Sequence, residues 1–418
     1  MVYLLRSVLF AVVLMVTGCG DLDQPSNPQV EGGEVVVSFD QTLMKKTLIK
    51  AGAADENTTV FGYTAYKIPY VTTDEEGDEV AVSGLMVVPT GLPEAVTQQI
   101  GLSLVSDDHG TIFANDEAPG VIGEKTSAPD GAAIILTALA GFVTLQPDYI
   151  GFGDSNDHYH PFVLKKSLAN ATVDFIDAAK TFATANGIKL NGQLFLTGYS
   201  EGGYAALATL QKIEKEGGPE VAIAAPMSGP YAMNEMAMGV LSQPELTVPS
   251  FMANVGYSYA KAYGKVLTDV INEPYASKLA TLFDGSLNRT GIDPQLTTKT
   301  VGADGLFNPV IVNDFFTDPN NWFKQAMLEN DVHRWAPQTQ VRLVHCMGDD
   351  VIPFAISQLA EGTMKAYQAA DVSIVPVEIA LTGDPATEMR LGHAECGKYA
   401  YGVAAKIFGE ARYKLFHY

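Results

Sequence analysis

Apolar and polar positions change rhythm several times along this 418-residue chain. Residues 1–19, MVYLLRSVLFAVVLMVTGC, set one cation, Arg6, ahead of an apolar run from Val8 to Val16 that is too short to span a bilayer comfortably. That length and those flanks predict a signal peptide. Residues 20–33 are polar, contain Pro and Gly and show no period, as expected of a flexible tether. Val60–Val71 and Glu79–Pro89 then mix Tyr, Thr and Val around the turn signal Glu75-Glu76-Gly77-Asp78, which predicts an antiparallel hairpin. Beyond it, apolar runs at Ile100–Ser106, Phe142–Leu145, Leu194–Thr197, Val221–Pro226, Val341–His345 and Ile374–Leu381 alternate with helical stretches. Strands alternating with helices predict an α/β fold with a mostly parallel sheet covered on both faces.

Helical spacing is clearest from Leu164 to Ala185, where Leu168, Ala171, Val173, Phe175, Ile176, Ala179 and Phe182 fall on or near one face. A second helix runs on from Ser200, with Leu207, Leu210 and Ile213 in a stripe and Gly217-Gly218-Pro219 as its stop. Pro376 would remove a ladder donor from the last strand, so that strand is expected at the sheet edge or after the proline. The stretch from Pro226 to Val341 is far longer than a strand-to-strand connection needs. It carries both Trp residues, Trp322 and Trp335, with Tyr257, Tyr259, Tyr263, Phe315, Phe316 and Phe323, and is expected to form an inserted, mostly helical cap. The predicted organisation is therefore a signal peptide over 1–18, a tether over 19–33, core over 34–230, cap over 231–337 and core again over 338–418.

Composition narrows the function. With 26 Lys and Arg against 48 Asp and Glu, the formal charge is −22. Such a charge opposes the counterion release that nucleic-acid binding depends on, and it repels anionic lipid head groups. Removing residues 1–18 takes away one cation and no carboxylate, so the acidity belongs to the exported part. The apolar fraction, 47%, suits a chain with a large core, and three Cys exclude a disulfide scaffold.

The chemistry concentrates in GYSEGG, 198–203, where Ser200 sits at the centre of Gly-x-Ser-x-Gly between the Leu194–Thr197 strand and a helix. A strand–turn–helix setting is what a nucleophile elbow requires, and it places the backbone N–H of Glu201 beside an oxyanion formed at the serine. A Ser hydroxyl needs a base and an orienting acid. His393, in LGHAECG, and Asp349, in HCMGDDVIPF, follow in the chain order Ser, Asp, His. Asp350 rivals Asp349, which the four-residue spacing to Pro353 favours. The second oxyanion donor is expected in SDDHGT, 106–111, at Gly110 or Thr111. Among the other His, His158 and His160 show no third ligand at metal spacing, and His109, His333, His345 and His417 read as structural. No metal site is expected.

Two resemblances extend this reading. Val16-Thr17-Gly18-Cys19 resembles the lipobox of bacterial lipoproteins, which implies cleavage before Cys19, lipid chains including a second acylation on that residue, and attachment of an exported protein to a bacterial membrane. HGT (109–111), PDYIGFGDS (147–155), HPF (160–162), GYSEGG and GDDVIP (348–353) together resemble the secretory-lipase branch, lipase A-like, of the α/β-hydrolase superfamily. That resemblance implies hydrolysis of small ester or lipid substrates through an acyl-enzyme, a helical cap and no cofactor. Glu201 stands where Gln is frequent in that branch, and Cys346 where Gly is usual. With Cys19 lipidated, Cys346 and Cys396 remain, as a bridge or as two buried thiols. The implied triad brings their loops together and favours the bridge. Two other readings share these residues: a peptidase of the prolyl-oligopeptidase type, against which no repeat domain precedes the motif, and a lipid-anchored binding protein on an inactive hydrolase scaffold. The oligomeric state is left open by the sequence.

Overall fold

A computed structural model of the chain describes residues 29–30, 32–126 and 131–418. The signal peptide expected over 1–18, Cys19 and most of the expected tether lie outside the described residues. Ten strands form one sheet: β1 Gln29–Val30, β2 Gly33–Phe39, β3 Gly62–Thr73, β4 Glu79–Thr90, β5 Leu102–Asp108, β6 Val143–Pro147, β7 Leu190–Tyr199, β8 Ile223–Met227, β9 Gln340–His345 and β10 Val372–Pro376. Their order is β1-β2-β3-β4-β6-β5-β7-β8-β9-β10. Pairing is antiparallel from β1 to β6 and parallel from β6 to β10. The sheet is thus an α/β-hydrolase sheet with antiparallel N-terminal strands.

Three details differ from the sequence reading. The tether expected over 19–33 gives way earlier, because Gln29–Val30 already pairs with Gly33–Glu34. β2 and the helix Gln41–Lys50 precede the expected hairpin, with Asp40 Oδ1 accepting from Leu43 N at 2.8 Å to cap that helix. The run Ile374–Leu381 is not one strand. β10 ends at Pro376 on the sheet edge, and Val377–Thr382 coils into a helix that buries Val377 and Glu378.

Both faces of the parallel half are buried, and strand alternation divides its side chains between them. Leu194 and Leu196 of β7 face the helices Lys165–Ala185 and Glu201–Glu216, while Phe195 between them faces the helix His393–Phe416. On that second face Phe195 stacks on Phe408 at 4.6 Å and meets Phe142 edge-on at 5.7 Å. The helix 165–185 lies close to the sheet because Gly84 has no side chain: a Cβ there would stand 2.6 Å from the Phe175 ring. Between β8 and β9 the chain makes a long excursion whose longer helices are Met233–Leu241, Pro249–Ala262, Pro309–Thr317 and Trp322–Glu329. No helix among the described residues is long and apolar enough to cross a membrane.

β5 ends in two fully buried acids, Asp107 and Asp108. Thr172 Oγ1 donates to Asp108 Oδ1 at 2.7 Å, tying the helix 165–185 to the strand end. Burial pushes the Asp108 carboxyl up to about 8, against the opposing hydrogen bonds of Thr172 and Tyr149. Its folded-state value lies above its unfolded one, so its contribution to stability is full below about pH 4 and is lost as pH rises through about 8. Asp108→Asn removes this loss. The stability of the variant relative to wild type is expected to rise by ~2 kcal/mol or more between pH 5 and pH 9, measured by denaturant unfolding at each pH. Parallel pH profiles for the two proteins would refute the assignment.

Candidate active site

Ser200 stands between the last residue of β7 and the first of the helix 201–216, at φ 60° and ψ −119°. This is a strained conformation for an L-residue, and it persists only where the surroundings enforce it. Here the backbone does so. Ser200 N donates to Met227 O of β8 at 2.9 Å, and the flanking glycines let neighbouring chain press in. A Cβ on Gly202 would lie 1.8 Å from Asp108 O, one on Gly198 2.5 Å from the same oxygen, and one on Gly203 2.3 Å from Met227 O. The turn therefore admits glycine alone at these positions, and it sets Ser200 at the start of the helix 201–216, the end where N–H groups lack partners within the helix.

The other two expected residues meet it. Ser200 Oγ lies 3.0 Å from His393 Nε2, and His393 Nδ1 lies 2.8 Å from Asp349 Oδ2. An ionised carboxylate only accepts, so Nδ1 carries the proton and Nε2 is left to accept from the serine hydroxyl. Burial works against ionisation of Asp349, but hydrogen bonds from His345 and His393, with the positive charge they can carry, hold its carboxyl well below the usual range. Asp350 takes a different place: its Oδ1 accepts from His393 N at 2.8 Å, at the first residue of the helix 393–416.

Several bracing residues were not singled out from the sequence. His345 Nε2 lies 3.3 Å from Asp349 Oδ2 while its Nδ1 meets Ser357 Oγ at 2.6 Å. Asp349 Oδ1 accepts from Val351 N and Ile352 N, at 3.0 and 2.8 Å. Glu378, fully buried, accepts from Met347 N, Gly348 N and Leu391 N, and so joins the Asp349 loop to the His393 loop. Tyr199 OH donates to His393 O at 2.6 Å. The Cys346–Cys396 disulfide ties the same two loops, each half three residues from Asp349 or His393. These contacts are tertiary; of them, only the bridge was expected, from the loops that the implied triad brings together.

Around Ser200, Gly110 stands close enough that a Cβ on it would meet Tyr199 O at 2.9 Å and Ser200 Cβ at 3.7 Å. His109 Nδ1 donates to Gly110 O at 2.8 Å, and the His109 ring lies 4.2 Å from that of Tyr149. Glu201 is buried, with Oε1 2.8 Å from His160 Nε2. His160 Nδ1 faces the carbonyl of Ile150 at 2.9 Å and must donate to it. His158 instead meets Asp157 at the surface.

Among the described residues, a cleft and a smaller cavity both open on Ser200. A cleft of about 1640 Å³ reaches it past Gly110, Thr111, Tyr199 and His393 and runs along the helix 393–416. A smaller cavity of about 140 Å³ adjoins Thr111, Ser200 and Glu201 and is otherwise mainly apolar, with Met233, Met236, Val240, Met252 and Val255 among its walls. A serine hydroxyl on an imidazole, with that imidazole on a carboxylate, at the junction of an apolar cavity and a wide cleft forms an arrangement suited to acyl transfer.

Known proteins agree with this at the level of fold and class. A Legionella pneumophila protein assigned as a hydrolase superposes with a TM-score of 0.77 at 23% identity, covering 90% of this chain and 96% of the other. The rice cell wall degrading esterase LipA from Xanthomonas oryzae follows at 0.75 and 22%, covering 93% and 98%. Candida antarctica lipase A is more distant, at 0.57 and 13%, covering 88% and 78%. Comparison with curated proteins gives no sequence match. The secretory lipase family matches residues 127–381, well over half of the chain, from before β6 through β10. With that span and this fold, the chain belongs to the secretory lipase family and is a carboxylic ester hydrolase.

Proposed function

We propose that Ser200 is the nucleophile of this hydrolase, His393 its general base and Asp349 the acid that orients the histidine. The observation that carries the proposal is the unbroken line of hydrogen bonds Ser200 Oγ–His393 Nε2 and His393 Nδ1–Asp349 Oδ2. Ser200 Oγ attacks the ester carbonyl carbon as its proton passes to His393 Nε2. The oxyanion that forms is held by the Glu201 N–H at the helix start and by an N–H of the Gly110–Thr111 turn. His393 then gives the proton to the departing alcohol, leaving an acyl-enzyme. Water, activated by the same nitrogen, releases the acid. The carboxyl of Asp349 is held below its usual range by His345 and His393, so it is ionised at neutral pH and stabilises the imidazolium formed at each step.

The position of His393 also assigns the two spaces. The leaving alcohol must sit where His393 can protonate it, on the side of the wide cleft that this residue lines. The acyl group points the other way, into the apolar cavity beside Glu201. At about 140 Å³ that cavity is well below the ~300–1,000 Å³ of typical small-molecule sites, so it suits a short acyl chain joined to a larger alcohol. We place the enzyme outside the cytoplasm, anchored by lipid on Cys19. The Val16–Cys19 pattern supports this, and a disulfide beside the active site suits an oxidising compartment.

Three measurements test these statements. Ser200→Ala is expected to lower kcat/KM for an ester by ~10⁴-fold or more and to abolish labelling by a fluorophosphonate; unchanged turnover would remove Ser200 from the mechanism. In a p-nitrophenyl ester series, kcat/KM should fall at least about tenfold from butyrate to palmitate, and a rise with chain length would contradict the cavity assignment. Radiolabelled palmitate fed to expressing bacteria should enter the wild-type chain and not Cys19→Ser; equal incorporation would exclude Cys19 as the anchor.

A further inference from the structure

Away from the catalytic residues, the long connection between β8 and β9 begins and ends at one place. Tyr231 and the helix Met233–Leu241 open it, and residues 331–335 close it, with Val332 N donating to Tyr231 O at 3.0 Å. At this junction a carboxylate oxygen of Glu235, a carboxylate oxygen of Asp331 and a ring nitrogen of His333 lie within 4.8 Å of one another. His333 is 1% exposed and Asp331 4%. His333 Nδ1 faces the Tyr231 carbonyl at 3.0 Å and can only donate to it, so Nε2 carries the lone pair. That buried Nε2 has no hydrogen-bond partner among the described residues, and neither has the buried Glu235 Oε2.

We propose that Glu235, Asp331 and His333 form a binding site for one divalent transition-metal ion of the zinc class, which clamps the two ends of the connection together. An imidazole nitrogen with two carboxylate oxygens is a donor set that zinc takes, and a metal-binding histidine whose other nitrogen donates to a carbonyl is held in the required tautomer and orientation. Arg334 does not satisfy the group. Its Nε meets Asp331 Oδ2 at 2.7 Å and its Nη2 meets Glu235 Oε1 at 2.8 Å, which orients both carboxylates but uses one oxygen of each. Glu235 Oε2 is left over, and Asp331 Oδ1 accepts only a long bond, 3.3 Å, from Asn234 N. Donors around a tetrahedral zinc stand roughly 3.3 Å apart, so atoms that lie within 4.8 Å of one another need draw together by no more than about 1.5 Å. The clamp bears on the substrate through the helix 233–241, whose Met233, Met236 and Val240 wall the smaller cavity.

The test uses the full chain after dialysis against EDTA, titrated calorimetrically with zinc chloride, with Ser200, Asp349 and His393 unaltered. Wild type is expected to bind one zinc and to gain about 3 °C in Tm at zinc a hundredfold above Kd. His333→Ala is expected to weaken binding at least about a hundredfold and to lose the Tm gain. Glu235→Gln keeps the size and the contact with Arg334, so it serves if the buried histidine cannot be replaced without unfolding; it is expected to weaken binding at least about tenfold. Cobalt(II) in place of zinc should give visible absorption in wild type that both variants lack. Absence of stoichiometric zinc binding by wild type, or undiminished binding by the variants, would overturn the proposal.

Discussion

Among the described glycines, the one with least room for a side chain is Gly202 of the GYSEGG turn, where a Cβ would lie 1.8 Å from Asp108 O at the end of β5. Much of the site's geometry depends on it. The contact forces the chain from strand to helix within one residue and sets Ser200 in a strained conformation that its bond to Met227 O maintains. It also brings the Gly110–Thr111 turn, which directly follows β5, beside the serine. The parallel order β5-β7-β8 supplies the three strand ends that make this possible, and the glycines are the residue types that allow them to converge.

Where the sequence was informative, the information was local. GYSEGG was recognisable because a strand, a tight turn and a helix meet within a dozen residues, and Asp349 was separable from Asp350 by its distance from Pro353. The structure gives the two acids distinct places, one on the imidazole and one on the backbone N–H of the same histidine. The residues that were not legible act across the chain. His345 reads as the end of an apolar strand, and Glu378 as a charge within an apolar run; nothing near either one reveals that it braces the Asp349 loop. The run Ile374–Leu381 misled for a related reason. Short apolar segments look alike as strand and as buried helix, and it is the carboxylate of Glu378, needed by three backbone N–H groups, that gives the helical turn its purpose.

An acidic protein that buries several carboxylates must hold each in a suitable charge state, and neighbours decide which. Asp349 is kept ionised by two imidazoles and two backbone N–H groups, so it can support a cation on His393. Asp108 has weaker support and is driven toward its neutral form. The two acids show how burial yields opposite outcomes within one site, depending on the donors supplied.

The helix that begins at His393 also covers the second face of the sheet, where Phe408 lies against Phe195. Its first residue and its apolar stripe therefore arrive together. If Ser200 acts as proposed, then until that face is closed its hydroxyl has no imidazole beside it and remains as unreactive as an ordinary alcohol. On the proposed mechanism, chemical competence is in this way coupled to completion of the core, and a partly folded chain has little means of attacking esters in its surroundings.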